Sequence, residues 1–390
     1  MIEFNKYIKD IEFYDNSLHV KKNNYAHQNI LSLKNFEKAK QEITSWKNYK
    51  PTNLFSLDDI AKKNDVSKIY YKDESSRFGL KSFKALGGAY AVVNLLISEL
   101  KKQGIKVDSA DLFSKKYLNE TSKITVSCAT DGNHGRSVAW GASIFGCNCE
   151  IYIHAHVSKT RQEAIAKYGA KVHRVDGNYD DSVRVADEKA NKNGYFTISD
   201  TSYEGYTEVP KDVMQGYTVM VDEAIEQMDE KPTHIFLQGG VGGMAAAVVS
   251  FVHETYGEDF PIFVIVEPKN ADCLLQSAKN QKPTIVEGEL ETIMAGLSCG
   301  EVSLIAWDIL KDTVSAFVSI EDRIVPKVMK LLANKHIVSG ESAVAGLAGF
   351  LIAVSDEKLR KKLKLDENSK VLCFGTEGDT DELMYQKLIL

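Results

Sequence analysis

The sequence predicts an α/β protein built on mainly parallel sheets, and two observations carry that expectation. From about residue 85 onward, short apolar runs of strand length alternate with longer segments of helical periodicity. Glycine-rich and polar stretches fall where the strand-like runs end. Alternation of this kind builds βαβ units with right-handed crossovers. Such sheets bind ligands at the carboxyl ends of their strands.

Taken in order, 123–128 reads as a buried strand and 158–168 as a helix with Ser158 as its N-cap. A strand over 171–175, a helix over 179–193 and a strand over 195–199 follow. The helix over 212–228 has the clearest period, placing Tyr217, Met220, Val221, Ala224, Ile225 and Met228 on one face. Strands at 234–237, 262–266 and 370–374 complete the pattern, with helices between them. The polar segment 103–120 fits neither period and reads as a surface excursion.

Composition narrows the function classes. The 390 residues suffice for two domains or one large domain with a divided core. A net charge of -6 offers no basic field for nucleic acid or an anionic membrane. No run of about 18 apolar residues exists to span a membrane. The chain starts Met-Ile-Glu-Phe-Asn-Lys without an apolar leader, so a cytoplasmic location is expected. Six cysteines, at 128, 147, 149, 273, 299 and 373, form neither a CxxC metal pattern nor a secreted disulfide framework. No metal site is expected.

Four stretches carry chemistry. Ser82-Phe83-Lys84 opens the apolar run Ala85-Leu86-Gly87-Gly88-Ala89-Tyr90. A lone lysine at a helix start is most often a surface residue. Held in apolar surroundings, it becomes a nucleophile able to form a Schiff base with a carbonyl. Gly239-Gly240-Val241-Gly242-Gly243 lies between a strand and a helix, where backbone N–H groups and the helix dipole favour a phosphate. Gly240 to Ala245 also fits G-x-G-x-x-A with Glu267 about 20 residues on, so a dinucleotide site stays open at this point. Thr130-Asp131-Gly132-Asn133-His134-Gly135 follows a strand and offers short polar groups for a carboxylate or a cofactor hydroxyl. Asp200 and Thr376 also follow strands, as turn formers or as site residues.

Together these segments resemble the fold type II pyridoxal-phosphate enzymes, which include threonine dehydratase, cysteine synthase and the tryptophan synthase β chain. A closer resemblance, from about Tyr71 to Tyr385, is to the diaminopropionate ammonia-lyases. Its segments include Arg77-Phe78-Gly79-Leu80, Phe83 to Tyr90, Ala129 to Arg136, Glu204-Gly205-Tyr206, Met214-Gln215-Gly216-Tyr217, Thr292 to Leu297 and Thr376 to Thr380. Two departures from the dehydratases favour the lyases: Lys84 precedes Ala-Leu-Gly-Gly, and Asp131 stands where dehydratases carry a small neutral residue.

The resemblance implies two three-layer α/β/α domains with the active site between them: a large cofactor domain, 1–89 and 206–390, and a small substrate-side domain, 90–205. It implies pyridoxal 5'-phosphate held by Lys84 as a Schiff base, with Phe83 beside it. Asn133 would face the ring's phenolic oxygen, Gly239, Gly240, Val241, Gly242 and Gly243 the phosphate, and Thr376 the pyridine nitrogen. Thr130, Asp131, His134, Asp200 and Tyr203 would contact a small amino-acid substrate. Asp131 and Asp200 would act as bases for the D and L isomers of 2,3-diaminopropionate, with Lys84 a competing base for the L isomer. A homodimer is implied, as is a place for Cys273 and Cys299 near the site's mouth, where they could approach or pair. The rival readings are a serine or threonine dehydratase, a dinucleotide-dependent oxidoreductase and a sensor that has lost catalysis.

Overall fold

The computed structural model describes residues 4–16, 26–130, 132–177 and 179–390. Its chain forms two compact units, one of Met1–Leu33, Pro51–Ser82 and Met220–Leu390, the other of Lys34–Lys50 and Phe83–Val219. The second unit contains 90–205 and also takes in 34–50, 83–89 and 206–219. Eleven strands lie among the described residues: β1 (Glu12–Asp15), β2 (Asn53–Ser56), β3 (Lys68–Asp73), β4 (Thr125–Ala129), β5 (Asn148–His154), β6 (Lys171–Val175), β7 (Phe196–Thr197), β8 (His234–Gln238), β9 (Ile262–Pro268), β10 (Ala316–Ile320) and β11 (Lys370–Gly375).

The first unit holds a seven-stranded sheet in the order β1-β10-β9-β8-β11-β3-β2. Its five inner strands run parallel, in registers such as Phe236 opposite Val264 and Phe374 opposite Lys72. The edge strands β1 and β2 are antiparallel to their neighbours. Every residue of β8 and β10 is buried. Strands covered on both faces read as continuous apolar runs, which is why 234–237 was legible and the short edges were not.

Beneath β2 and β3 the first unit buries a closed set of charges. Arg77 donates Nε and Nη2 to Glu74 at 2.8 Å each, and Nη1 and Nη2 to Glu223 at 2.7 Å each. Lys72 Nζ donates to Glu223 at 2.8 Å, to Gln227 at 2.9 Å and to the Thr52 carbonyl at 2.8 Å. Burial alone would raise the Glu223 carboxyl; the Arg77 and Lys72 charges outweigh it and hold Glu223 below the ordinary range. Two cations face two anions here, and the paired forks meet the condition for a buried salt bridge to survive.

The second unit carries a four-stranded parallel sheet, β6-β5-β4-β7. The helices Lys159–Ala166 and Tyr179–Asn193 connect its strands, and Ser158 accepts the Arg161 N–H as the expected N-cap. The segment 103–120 folds into two short helices, Ser109–Phe113 and Leu118–Thr121. Phe113 from the first packs on Trp46 and Phe145, which gives this polar stretch an anchor that its period does not reveal. No described helix is long and apolar enough to cross a membrane.

Candidate active site

Lys84 is the first residue of the helix Lys84–Lys102, and the glycines after it fix where that helix can lie. A Cβ on Gly87 would come within 2.5 Å of the Tyr217 ring and the Val213 carbonyl; one on Gly88 would come within 2.5 Å of Ser137 Oγ. A Cβ on Gly216 would come within 2.5 Å of the Leu86 carbonyl, and one on Gly141 within 2.8 Å of Ala89 Cα. Helices packed backbone to side chain at this distance leave little room to slide. Ser137 Oγ then donates to the Lys84 carbonyl at 2.6 Å, tying the first turn to the helix Asn133–Phe145.

The Lys84 ammonium ion-pairs with Asp200. It also sits 5.3 Å from the Phe83 ring centroid and 5.6 Å from that of Tyr217, and the two rings lie 4.6 Å apart. The side chains of Lys84 and Asp200 keep only 21% and 17% of their surface exposed. Lys84 is therefore shielded by two aromatic rings and paired with the Asp200 carboxylate. Asp200 was expected as a site residue; Tyr217 was read as a core position on an amphipathic helix and as part of a family segment, without a site role.

Burial tends to raise the Asp200 carboxyl, but the Lys84 charge outweighs it and holds Asp200 below its ordinary value. His134 stands behind the pair. Its Nε2 donates to the Ile198 carbonyl at 2.7 Å, leaving Nδ1 as the bare nitrogen, 3.9 Å from Asp200. Nδ1 is buried with no hydrogen-bond partner among the described residues. Burial also lowers the His134 pKa, against the pull of the Asp200 charge.

Around the Thr130–Gly135 turn, Thr130 Oγ1 accepts the N–H groups of Gly132 and Gly135 at 3.0 and 3.1 Å. Asn133 Oδ1 accepts Arg136 Nη2 at 3.0 Å. Asp131 lies outside the described residues. Tyr203 is exposed, and its ring stacks on Tyr206 at 4.9 Å. The structure thus brings Phe83, Lys84, His134 and Asp200 together within one unit and leaves Tyr203 at the surface of the same loop as Asp200.

In the first unit, Gly240 and Gly242 both have positive φ, +64° and +96°, where glycine is favoured. The helix Gly243–Tyr256 begins there with no side-chain cap, so its first N–H groups are donors for an anion. Glu267, the acid a dinucleotide site requires, is fully buried and does not reach for a ribose. Its carboxylate accepts the N–H groups of Leu274 and Leu275 at 3.0 and 2.8 Å, and a Cβ on Gly239 would come within 2.4 Å of its Cγ. The glycine loop fits a phosphate, and the oxidoreductase reading loses its ribose ligand. Thr376, after β11, is buried. The adjoining Glu377 accepts the Ser342 N–H at 3.2 Å and bonds Gly340 through its carbonyl at 2.9 Å. Sequence reasoning overlooked this Ser339–Ser342 segment, whose only signal is a Ser-Gly-Glu-Ser run before an apolar helix. Cys273 and Cys299 are both free thiols.

A glycine cradle for a phosphate and a shielded lysine beside a carboxylate define a cofactor-dependent enzyme of the Schiff-base class. Residues 46–377 match the family model described as pyridoxal-phosphate dependent enzyme, and the chain belongs to that family, alongside its diaminopropionate ammonia-lyases. The relative from Escherichia coli K12 named diaminopropionate ammonia-lyase is 41% identical over 354 residues, 87% of each chain. The one from Salmonella typhimurium is 38% identical, covering 87% of this chain and 88% of its own. The crystal structure of the Escherichia coli enzyme in complex with an aminoacrylate-PLP azomethine reaction intermediate superposes with a TM-score of 0.87 at 36% identity, covering 97% and 96% of the two chains.

Proposed function

We propose that this chain catalyses the α,β-elimination of 2,3-diaminopropionate, in both D and L forms. Water is consumed, and pyruvate and two molecules of ammonia are released. The observation that carries the reading is the Lys84–Asp200 ion pair held between the Phe83 and Tyr217 rings. Pyridoxal phosphate, when bound, supplies the electron sink that makes the substrate Cα–H acidic.

Lys84 would hold the cofactor's carbonyl carbon, and the Gly239–Gly243 backbone its phosphate. Asn133 would face the phenolic oxygen and Thr376 the ring nitrogen. Thr130, His134 and Tyr203 orient the substrate. Asp200, kept as a carboxylate by Lys84, accepts the α-proton of the L isomer; its basicity rises when the Lys84 charge leaves its side, because burial then dominates. Asp131 is assigned the D isomer on the strength of the family resemblance. A cytoplasmic homodimer, with residues 90–205 as the substrate-side domain, belongs to the same reading.

The test is a yellow holoenzyme assayed for pyruvate with each isomer, with Asp131→Asn and Asp200→Asn alongside. Asp200→Asn should depress turnover of the L isomer about 100-fold or more and spare the D isomer, and Asp131→Asn should do the reverse. A colourless protein that cannot be reconstituted with pyridoxal phosphate, or serine turned over faster than either diaminopropionate isomer, overturns the assignment.

A further inference from the structure

We infer that Tyr206 is a positioning residue for Asp200 and sets turnover of the L isomer without touching substrate. The inference rests on the reading of Asp200 given above. Strand β7 is only two residues long and stops at Thr197, three residues short of Asp200. The chain between them is fixed from alternating sides. Ile198 donates its N–H to the Ser127 carbonyl at 2.8 Å and accepts His134 Nε2. Its two neighbours are held by one hydroxyl: Tyr206 Oη donates to the Thr197 carbonyl at 2.7 Å and accepts the Ser199 N–H at 3.1 Å. Ser199 Oγ in turn accepts the Thr201 N–H at 3.1 Å, closing a small turn around Asp200.

Tyr206 is itself rigidly presented. Tyr203 and Tyr206 exchange backbone hydrogen bonds at 3.3 and 2.9 Å, and Gly205 between them takes the positive φ this tight turn needs. The stacked Tyr203 ring covers the outer face of Tyr206. The phenol thus does the work of two missing ladder bonds at a strand end. A carboxylate that must meet a Cα–H within a few tenths of an ångström depends on that, since a displacement of about 1 Å can cost about 100-fold in rate.

Tyr206→Phe keeps the ring and its stack and removes only the hydroxyl. In the holoenzyme it should lower kcat for L-diaminopropionate by about tenfold, with KM unchanged within about twofold and the D isomer unaffected. The Ser199 amide should exchange faster with solvent, read by hydrogen–deuterium exchange of the same protein. Gly205→Ala strains the turn while its methyl meets open space, and it reads the same isomer split should Tyr206→Phe fold poorly. Equal loss on both isomers, or a change confined to KM, overturns the role of Tyr206. Asp200→Asn in parallel separates the two failures. If it too lowers both isomers equally, the assignment of Asp200 falls; if it spares the D isomer while Tyr206→Phe does not, only the present inference falls.

Discussion

The charges buried in the first unit and those in the second are satisfied to very different degrees. Arg77, Glu74, Glu223 and Lys72 meet in two bidentate forks and a three-partner ammonium, cation for anion. The described contacts of Lys84, Asp200 and His134 include the Lys84–Asp200 ion pair and the histidine's bond to the Ile198 carbonyl, and the buried His134 Nδ1 has no hydrogen-bond partner among the described residues. Complete satisfaction locks a geometry, because every rearrangement breaks a charge-assisted bond. Incomplete satisfaction leaves groups that gain by meeting something else, which is the condition of a site. The first cluster should therefore govern stability and the second turnover.

Glu223→Gln should give the largest loss of stability. The amide offers one acceptor where Arg77 and Lys72 together need two charged ones, so about 3–5 kcal/mol should disappear in a urea melt. A loss under about 1 kcal/mol would mean the first cluster is no more structural than the second.

Gly87→Ala comes next. Its methyl must displace the Tyr217 ring and the Val213 carbonyl, both at 2.5 Å. About 1–3 kcal/mol of destabilisation is expected from such overpacking, with a fall in turnover as Lys84 shifts. Wild-type turnover in a destabilised variant would show that helix packing and Lys84 placement are uncoupled.

Lys84→Ala should abolish activity yet have the smallest effect on stability, and that effect should depend on pH in a definite sense. With Lys84 present, the folded Asp200 titrates below its unfolded value near 4, so its contribution is complete above about pH 4 and fades as pH falls through the folded value. Without the cation the folded value should rise, since burial then faces only His134 and a backbone hydrogen bond. The variant should then lose part of the stability that Asp200 contributes in the wild type as pH rises toward about 4. Parallel pH profiles for the two apoproteins would show that Lys84 does not control Asp200.

The same contrast explains what was legible in the sequence. The strand at 171–175 and the helix at 179–193 were located to the residue, since alternation and helical period report directly on burial. Lys84, Asp200 and the glycine loop, each ordinary alone at a strand or helix end, stood out through the family motifs around them. Periodicity says that a side chain is buried, not what it meets. Tyr217 and Glu223 were thus invisible as partners of Lys84 and Arg77, although Tyr217 was correctly placed on an apolar face. The strand expected over 195–199 shrinks to Phe196–Thr197 because His134 and Tyr206 take the backbone groups that a neighbouring strand would have used.

The glycines around the first turn of Lys84–Lys102 have a consequence for how this protein can change. Positions 87, 88, 141 and 216 meet neighbouring atoms at 2.8 Å or less from where a Cβ would be. Each admits essentially one residue type, and none touches a reacting group. Mutational drift or directed evolution toward another amino-acid substrate has almost no freedom in this helical platform. The exposed ring of Tyr203 leaves more freedom, because a changed side chain there meets solvent and does not unseat Lys84.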